Sequence, residues 1–229
     1  MMRIVETPSP NHGPRPDGVA IDMLVLHYTG MQTGAGALAR LCDPVAEVSA
    51  HYTVDMDGTV HAHVAEERRA WQAGPSHWRG RPDVNSRSIG IEIVNTGHDW
   101  GLAPFPAGQI AAVIALSRGI LARHAIQARQ VVAHSDIAPN RKADPGELFP
   151  WRRLAAAGVG LWPGPEAPAP GVEVADALVE IGYGVGEYGF EPCLRAFQRR
   201  WRPARIDGLV DAQTARLAAQ VLHLARTAP

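Results

Sequence analysis

The apolar positions of this chain change period several times, and each change marks an element. IDMLVLHYT (21–29) is apolar almost without interruption, the pattern of a strand covered on both faces. GAGALARLC (34–42) reads as a short helix stopped by Asp43-Pro44. AHYTVDMDGTVHAHV (50–64) holds two β-rich runs around Asp57-Gly58, which predicts a hairpin. SIGIEIVN (88–95) alternates: Ile89, Ile91 and Ile93 face one side, Gly90, Glu92 and Val94 the other. PAGQIAAVIALSRGILARHAI (106–126) has the clearest helical period. Pro106 suits a first turn, and Ile110, Val113, Ile114, Ser117, Ile120 and Leu121 form the stripe. QVVAH (130–134) reads as a short buried strand and WRRLAAAG (151–158) as a short helix ended by glycine. Residues 1–20, rich in Pro, Gly, Asn and Asp, predict an irregular arm.

Strands and helices that intermix in this way predict an α/β fold with a mixed central sheet flanked by helices. GLWPGPEAPAPG then breaks the pattern, and its Pro and Gly density predicts a stiff, extended linker over 160–171. Beyond it, three helical faces recur: Val174, Ala177, Leu178 and Ile181; Leu194, Phe197 and Trp201; Ala215, Leu217, Ala218 and Val221. Asp211 is placed to cap the last of them. The chain thus divides into 1–159, the linker, and a small helical unit over 172–229, near the lower size limit for a core of its own.

Composition narrows the function. A net charge of −1 gives no general attraction to nucleic acid or an anionic membrane surface. No run is long and apolar enough for a membrane span or a signal peptide, which points to the cytoplasm. A periplasmic protein whose leader had been removed would read the same. The two cysteines, Cys42 and Cys193, are too few and too far apart for a disulfide framework, and read as small buried thiols.

Chemistry concentrates where apolar runs end. His27 and His134 each close a predicted central strand, the place where sites form in α/β sheets. Each is either a buried, hydrogen-bonded histidine or a metal ligand. Asp144 precedes Pro145, which favours extended backbone and turns Lys142 and Asp144 to one side. Two imidazoles and one carboxylate match the three-ligand, open coordination of a catalytic zinc. Glu92 interrupts an apolar strand, and is either paired with an arginine or working as a general base. Lys142 is the only lysine in the chain, and its ammonium suits the oxyanion of a tetrahedral intermediate. Other sets fit less well. His61 and His63 share one face of a surface hairpin, Asp136 suits a turn, and the Asp55–Gly58 run lacks the glycine and glutamate of a calcium loop.

Four separated segments, LHYTG, SAHYTV, AWQAGPSHWRGRPDVNSRSIGIEIVN and VVAHSDIAPNRKADPGELFPW, together resemble the zinc-dependent N-acetylmuramoyl-L-alanine amidases of type 2, relatives of the peptidoglycan-recognition proteins. The resemblance covers residues 5–158. It implies a zinc site in a surface groove and hydrolysis of the amide between the lactyl group of N-acetylmuramic acid and L-alanine. It places one zinc on His27, His134 and Asp144, and assigns catalysis to Glu92 and Lys142. Many relatives carry a catalytic tyrosine where this chain has Ala50, which leaves the base role to Glu92, and often a histidine where it has Gln72. Trp71, Trp78 and Asn85 lie in the segment that shapes the groove, with Trp71 and Asn85 the candidates for substrate contact.

LVEIGYGVGEYGFEPCLRAFQRRWRPARIDGLVDAQTARLA resembles the three-helix peptidoglycan-binding domain. The rival for this stretch is a helix-turn-helix DNA reader, suggested by RAFQRRWRPAR. Seven arginines against eight acidic residues over 166–229 argue against it. A second rival, a module that binds peptidoglycan without cutting it, would be expected to lack a ligand or catalytic group, and none is missing. The implied partners are muropeptides or peptidoglycan fragments. Soluble anhydro-muropeptides fit a cytoplasmic recycling enzyme, and intact wall fits a wall-bound one.

Overall fold

The apolar run at 21–29 becomes the spine of a six-stranded sheet. The computed structural model describes residues 3–165, 167–169 and 171–228; Met1, Met2 and Pro229, and Glu166 and Pro170 of the predicted linker, lie outside the described residues. The described residues form strands β1 (Ile4–Glu6), β2 (His12–Pro14), β3 (Met23–Tyr28), β4 (Tyr52–Val54), β5 (Val60–Ala62), β6 (Arg68–Ala70), β7 (His77–Trp78), β8 (Arg81–Pro82), β9 (Ser88–Ile93) and β10 (Val131–Ala133). The α-helices are α1 (Gly34–Cys42), α2 (Ala107–His124), α3 (His134–Ile137), α4 (Trp151–Ala156), α5 (Val174–Ile181), α6 (Val185–Tyr188), α7 (Phe190–Trp201) and α8 (Ala212–Thr227).

The sheet runs in the order β1-β5-β4-β9-β3-β10, and every neighbouring pair is parallel except the predicted hairpin β4–β5. It is the mixed, helix-flanked α/β sheet that the period changes imply. The alternation of β3 and β9 sorts side chains onto two faces. Leu24, Leu26, Ile89, Ile91 and Ile93 meet Ile110, Val113, Leu116 and Ile120 of α2. Met23 and Val25, with Val132, meet the C-terminal helices instead. His27 comes next on that second face, at the carboxyl end of β3, where the apolar cover stops.

Several expectations are corrected. The arm over 1–20 contributes β1, which extends the sheet edge parallel to β5, and β2, which pairs with β6. Strands of three residues among prolines leave no periodic signal. The α2 stripe is rotated from the predicted one: Gln109 and Leu116 are buried, while Ile114 and Leu121 lie at its edge. The Gln109 amide donates to the carbonyls of Val54 and Val94 at 3.1 and 2.8 Å, so a polar residue earns a core position by satisfying loose backbone acceptors. His134 starts the helical turn α3 rather than ending β10. Cys193 is buried, but Cys42 is partly exposed.

The C-terminal helices differ most from expectation. They do not close on a core of their own. Leu178, Leu194, Phe197, Val221 and Leu222 share one continuous cluster with Met23, Val25, Val132 and Ile137 of the first unit. The predicted linker joins in: Trp162 stacks on Trp201 with ring centroids 5.5 Å apart. Three arginines cross the boundary as well: Arg79 donates to the Ile181 carbonyl at 3.0 Å, Arg129 to the Ala225 carbonyl at 3.0 Å, and Arg200 to the Val131 carbonyl at 3.1 Å. A unit of this size gains more apolar burial by sharing the sheet face than by packing alone.

A shared core predicts one cooperative unfolding transition for the full chain. Phe197→Ala, which empties a fully buried site, should cost about 3–5 kcal/mol and lower that single midpoint by on the order of 10 °C. Scanning calorimetry checks this; two separate heat-absorption peaks in the parent chain would refute the shared core.

Candidate metal centre

Three of the predicted residues meet at one point. His27 comes from the end of β3, His134 from the first position of α3, and Asp144 from the loop beyond it. His27 Nδ1 lies 2.9 Å from His134 Nδ1 and 3.0 Å from Asp144 Oδ2, and His134 Nδ1 lies 3.1 Å from the same carboxylate oxygen. All three residues are buried. The backbone amide of Ser135 donates to the Asp144 carbonyl at 3.0 Å, fixing the two ligand segments to each other.

The outward nitrogens decide which atoms face the centre. His134 Nε2 lies 3.1 Å from the carbonyl oxygen of Ala73, which can only accept, so the proton sits on Nε2. His27 is fixed through a longer chain. Ser88 Oγ donates to the Val84 carbonyl at 2.7 Å, and Gln72 Nε2 donates to Ser88 Oγ at 2.7 Å. That leaves Gln72 Oε1 to accept from His27 Nε2–H. Gly90 makes room for this, because a methyl group there would overlap the Gln72 carboxamide. Both Nδ1 lone pairs and a carboxylate oxygen therefore converge. This donor set fits a divalent cation: three acceptors share one centre, each histidine's second nitrogen is held by an outer partner, and only positive charge reconciles them.

Electrostatics agree with that demand. At His27, burial opposes the imidazolium, but the hydrogen bond to Asp144 and the charges of Glu92 and Asp144 outweigh it and hold its pKa above the usual histidine value. Burial pushes His134 down to about 4. Burial alone would raise Asp144, yet the two histidines hold it well below the usual carboxylate range.

Glu92 stands beside this cluster. In the β3–β9 register it is the direct partner of His27, and in the β4–β9 register of Thr53. Its carboxyl group opens onto the groove, while Oε2 is closed off from solvent and has no hydrogen-bond partner among the described residues. Burial raises its pKa to about 7, against the lowering influence of His27 and Lys142. No arginine pairs with it among the described ion pairs, so the ion-pair alternative falls away.

The cluster sits in a groove of about 850 Å³ whose walls include Tyr28, Arg40, Trp71, Trp100, Arg141 and Lys142. Trp71 is therefore at the groove, and Lys142 and Asp144 line it together. Asn85 is buried, and its Oδ1 accepts from the backbone amides of Gln72 and Ala73 at 3.1 and 2.8 Å, so it shapes the Gln72 loop from behind. Trp78 is core, its ring 5.2 Å from Tyr183. Ala50 is buried and presents no hydroxyl. Among the rejected sets, His61 pairs with Thr7 Oγ1 at 3.1 Å, and His63 is buried against the Thr7 carbonyl and Thr53 rather than on the surface. Sequence reasoning missed Arg40, Arg141 and Trp100. It also missed the tether Tyr28–His98–Glu147, in which His98 Nδ1 lies 2.9 Å from the Tyr28 hydroxyl and Nε2 3.0 Å from Glu147. None of these residues breaks a periodic pattern. The run HDW between Gly97 and Gly101 was the one available cue for a structured loop.

Comparison with known proteins bears on this geometry. The family model described as N-acetylmuramoyl-L-alanine amidase matches residues 17–147. The N-acetylmuramoyl-L-alanine amidase AmiD of Escherichia coli is 37% identical over 89% of this chain and 83% of its own. Its solved complex with the substrate anhydro-N-acetylmuramic acid-L-Ala-D-gamma-Glu-L-Lys superposes with a TM-score of 0.79 over 90% of this chain and 91% of that one. AmpDh3 of Pseudomonas aeruginosa, solved in complex with anhydromuramic pentapeptide, is 34% identical, with a TM-score of 0.78 over 90% of this chain and 92% of that one. The 1,6-anhydro-N-acetylmuramyl-L-alanine amidase AmpD of Enterobacter cloacae is 32% identical over 65% of this chain and 87% of its own.

Because the raised pKa of His27 means that a cation must displace a proton there, metal affinity should increase as pH rises through and above the ordinary histidine range. Chelator-competition titrations with Zn2+ at pH 6 and pH 8 measure this, with tighter binding expected at pH 8; a pH-independent affinity would contradict the proton displacement.

Proposed function

The chain belongs to the N-acetylmuramoyl-L-alanine amidase family, and on that premise we propose that its groove carries out the family reaction with one zinc ion held by His27, His134 and Asp144. The chain is an enzyme: it hydrolyses the amide bond between N-acetylmuramic acid and L-alanine in muropeptides, in cell-wall turnover or recycling. The observation that carries the residue assignment is the register that sets Glu92 opposite His27, so that an unpaired carboxylate and the ligand cluster share one groove floor. Two imidazole nitrogens and one carboxylate suit zinc with a coordination position left open. The related complexes with anhydro-muramyl peptides, which align over nine-tenths of this chain, favour the 1,6-anhydro form among its substrates.

Zinc at this donor set supplies Lewis acidity, which brings a water near ionisation at neutral pH and polarises a carbonyl. The chain's own residues do the rest. Glu92 accepts a proton from the water as its oxygen attacks the amide carbonyl carbon; a carboxylate raised to about 7 is matched to that task. The Lys142 ammonium faces the charge that develops on the carbonyl oxygen. Glu92 then delivers the proton to the amide nitrogen as the carbon–nitrogen bond breaks. The products are a free lactyl carboxylate on the muramyl sugar and the L-alanine amine of the stem peptide. Residues 172–229, from their sequence resemblance, serve as a peptidoglycan-binding unit attached to this centre.

Glu92→Gln should keep one zinc per chain and lose about 10²–10⁴ in kcat, read by mass spectrometry of stem peptide released from a soluble anhydro-muropeptide. The parent kcat/KM should rise with pH along an acidic limb centred no higher than about 7, because Glu92 must be ionised to act, and the variant should lack that limb. The same inactive variant should co-sediment with intact sacculi. Lys142→Arg should keep zinc and lose about 10²–10³ in kcat, because a planar fork does not replace a compact ammonium at a confined oxyanion. Wild-type turnover in either variant would remove that residue from the mechanism.

A further inference from the structure

We infer that the C-terminal helical unit is a positioning element of the metal centre, acting through a buried clamp of Arg200 and Tyr183 on Asp136. The inference rests on the reading of His27, His134 and Asp144 as metal ligands. Asp136 lies two residues beyond His134 in α3 and is fully buried. Its Oδ2 accepts from its own turn, the Ala133 amide, at 2.9 Å. The C-terminal unit supplies its other partners: Arg200 Nη1 donates to Oδ2 at 2.7 Å, and the Tyr183 hydroxyl donates to Oδ1 at 2.8 Å. Arg200 also reaches the strand that leads into the ligand, with Nη2 donating to the Val131 carbonyl at 3.1 Å.

One side chain therefore grips the backbone three residues before His134 and the carboxylate two residues after it. Arg200 is itself buried, its guanidinium lying 4.0 Å over the Trp151 ring, so the grip is geometrically fixed. The turn it holds is also bonded to the third ligand, through the Ser135 amide and the Asp144 carbonyl. A rotation of α3 would move His134 and Asp144 together. Among the described residues, none of the C-terminal unit lines the groove. Their influence on the metal must pass through the strand and turn that carry His134, and Arg200 and Tyr183 are positioning residues in that sense. Outer partners of metal ligands typically change metal affinity by about 10–100-fold when removed; the clamp acts not on a ligand side chain but on the backbone turn that carries His134.

The test uses the full chain and Zn2+ itself, by chelator competition, with Co2+ absorption as a report on ligand geometry and kcat and KM measured separately. Arg200→Met should weaken zinc binding roughly tenfold, alter the cobalt spectrum, and lower kcat with KM unchanged. Tyr183→Phe keeps the ring and its packing, and so stays folded if Arg200→Met does not; it should weaken zinc several-fold in the same direction. Arg226→Ala, which removes an exposed ion pair with Glu180 in the same unit, should leave zinc affinity and the cobalt spectrum at parent values. Parent-like zinc affinity and cobalt spectra in both Arg200→Met and Tyr183→Phe would overturn the clamp while leaving the metal centre standing. A parent chain that binds no zinc would overturn the metal reading itself.

Discussion

With both histidines neutral, as a bound cation requires, two lone-pair nitrogens and a carboxylate oxygen held about 3 Å apart in a buried site are mutually repulsive, and the rest of the structure can be understood as what holds them there. Two lone-pair nitrogens and a carboxylate oxygen would separate if their segments were free to move. They are not free. His27 is locked by the sheet on one side and by Gln72 on the other, His134 by the Ala73 carbonyl, and Asp144 by its backbone bond to Ser135. Preorganisation of this kind is paid for by folding, so that cation binding need not reorder the ligands. The Gln72–Ser88–Val84 chain shows how far the restraint extends: a glutamine amide is oriented by a serine hydroxyl, which is oriented in turn by a backbone carbonyl.

The position of that cluster follows from the two-faced sheet. Along β3 the second face reads Met23, Val25, His27: two apolar residues under the C-terminal helices, then a polar residue where the cover ends. The parallel strands β3, β9 and β10 all end on this side, which leaves a crevice at their carboxyl ends, the usual place for a site in such sheets. The family model matches residues 17–147 and so ends before the C-terminal helices begin. In this chain they cover Met23, Val25 and Val132, and the groove begins where they stop. The edge of the apolar cover and the edge of the site are the same boundary.

Much of this was legible in the sequence, and the exceptions have one physical cause. His27 and Glu92 stood out because each breaks a local pattern, a histidine closing an apolar run and a carboxylate on an apolar strand. Asp144 and Lys142 were marked by Pro145 and by a single lysine among arginines. What stayed hidden depends on contacts distant in sequence. Asn85 read as a groove residue because it lies in the groove-forming segment, yet its amide oxygen is spent on the backbone of Gln72 and Ala73. Asp136 read as a turn residue, which it is, but its second role needs Arg200, 64 positions away. The C-terminal unit read as separate because a Pro/Gly-rich stretch precedes it, and composition does not say whether a linker spans a gap or lies flat on a core.

The contrast between one lysine and many arginines then acquires a structural sense. Arg87 holds Asp22 through two nitrogens at 2.7 and 2.5 Å, Arg202 joins Asp207 and Asp211, and Arg200 joins Asp136 to the Val131 carbonyl. In each case a rigid planar fork bridges two fixed acceptors, and its shape is the useful property. The oxyanion of amide hydrolysis poses the opposite problem, because it exists only transiently and shifts as the carbonyl carbon becomes tetrahedral. A compact ammonium on a flexible stem can follow that charge, whereas a fork oriented for two fixed partners cannot. Lys142, the single lysine, lies on the groove wall with Asp144, where the proposed oxyanion would call for a mobile cation rather than a rigid one.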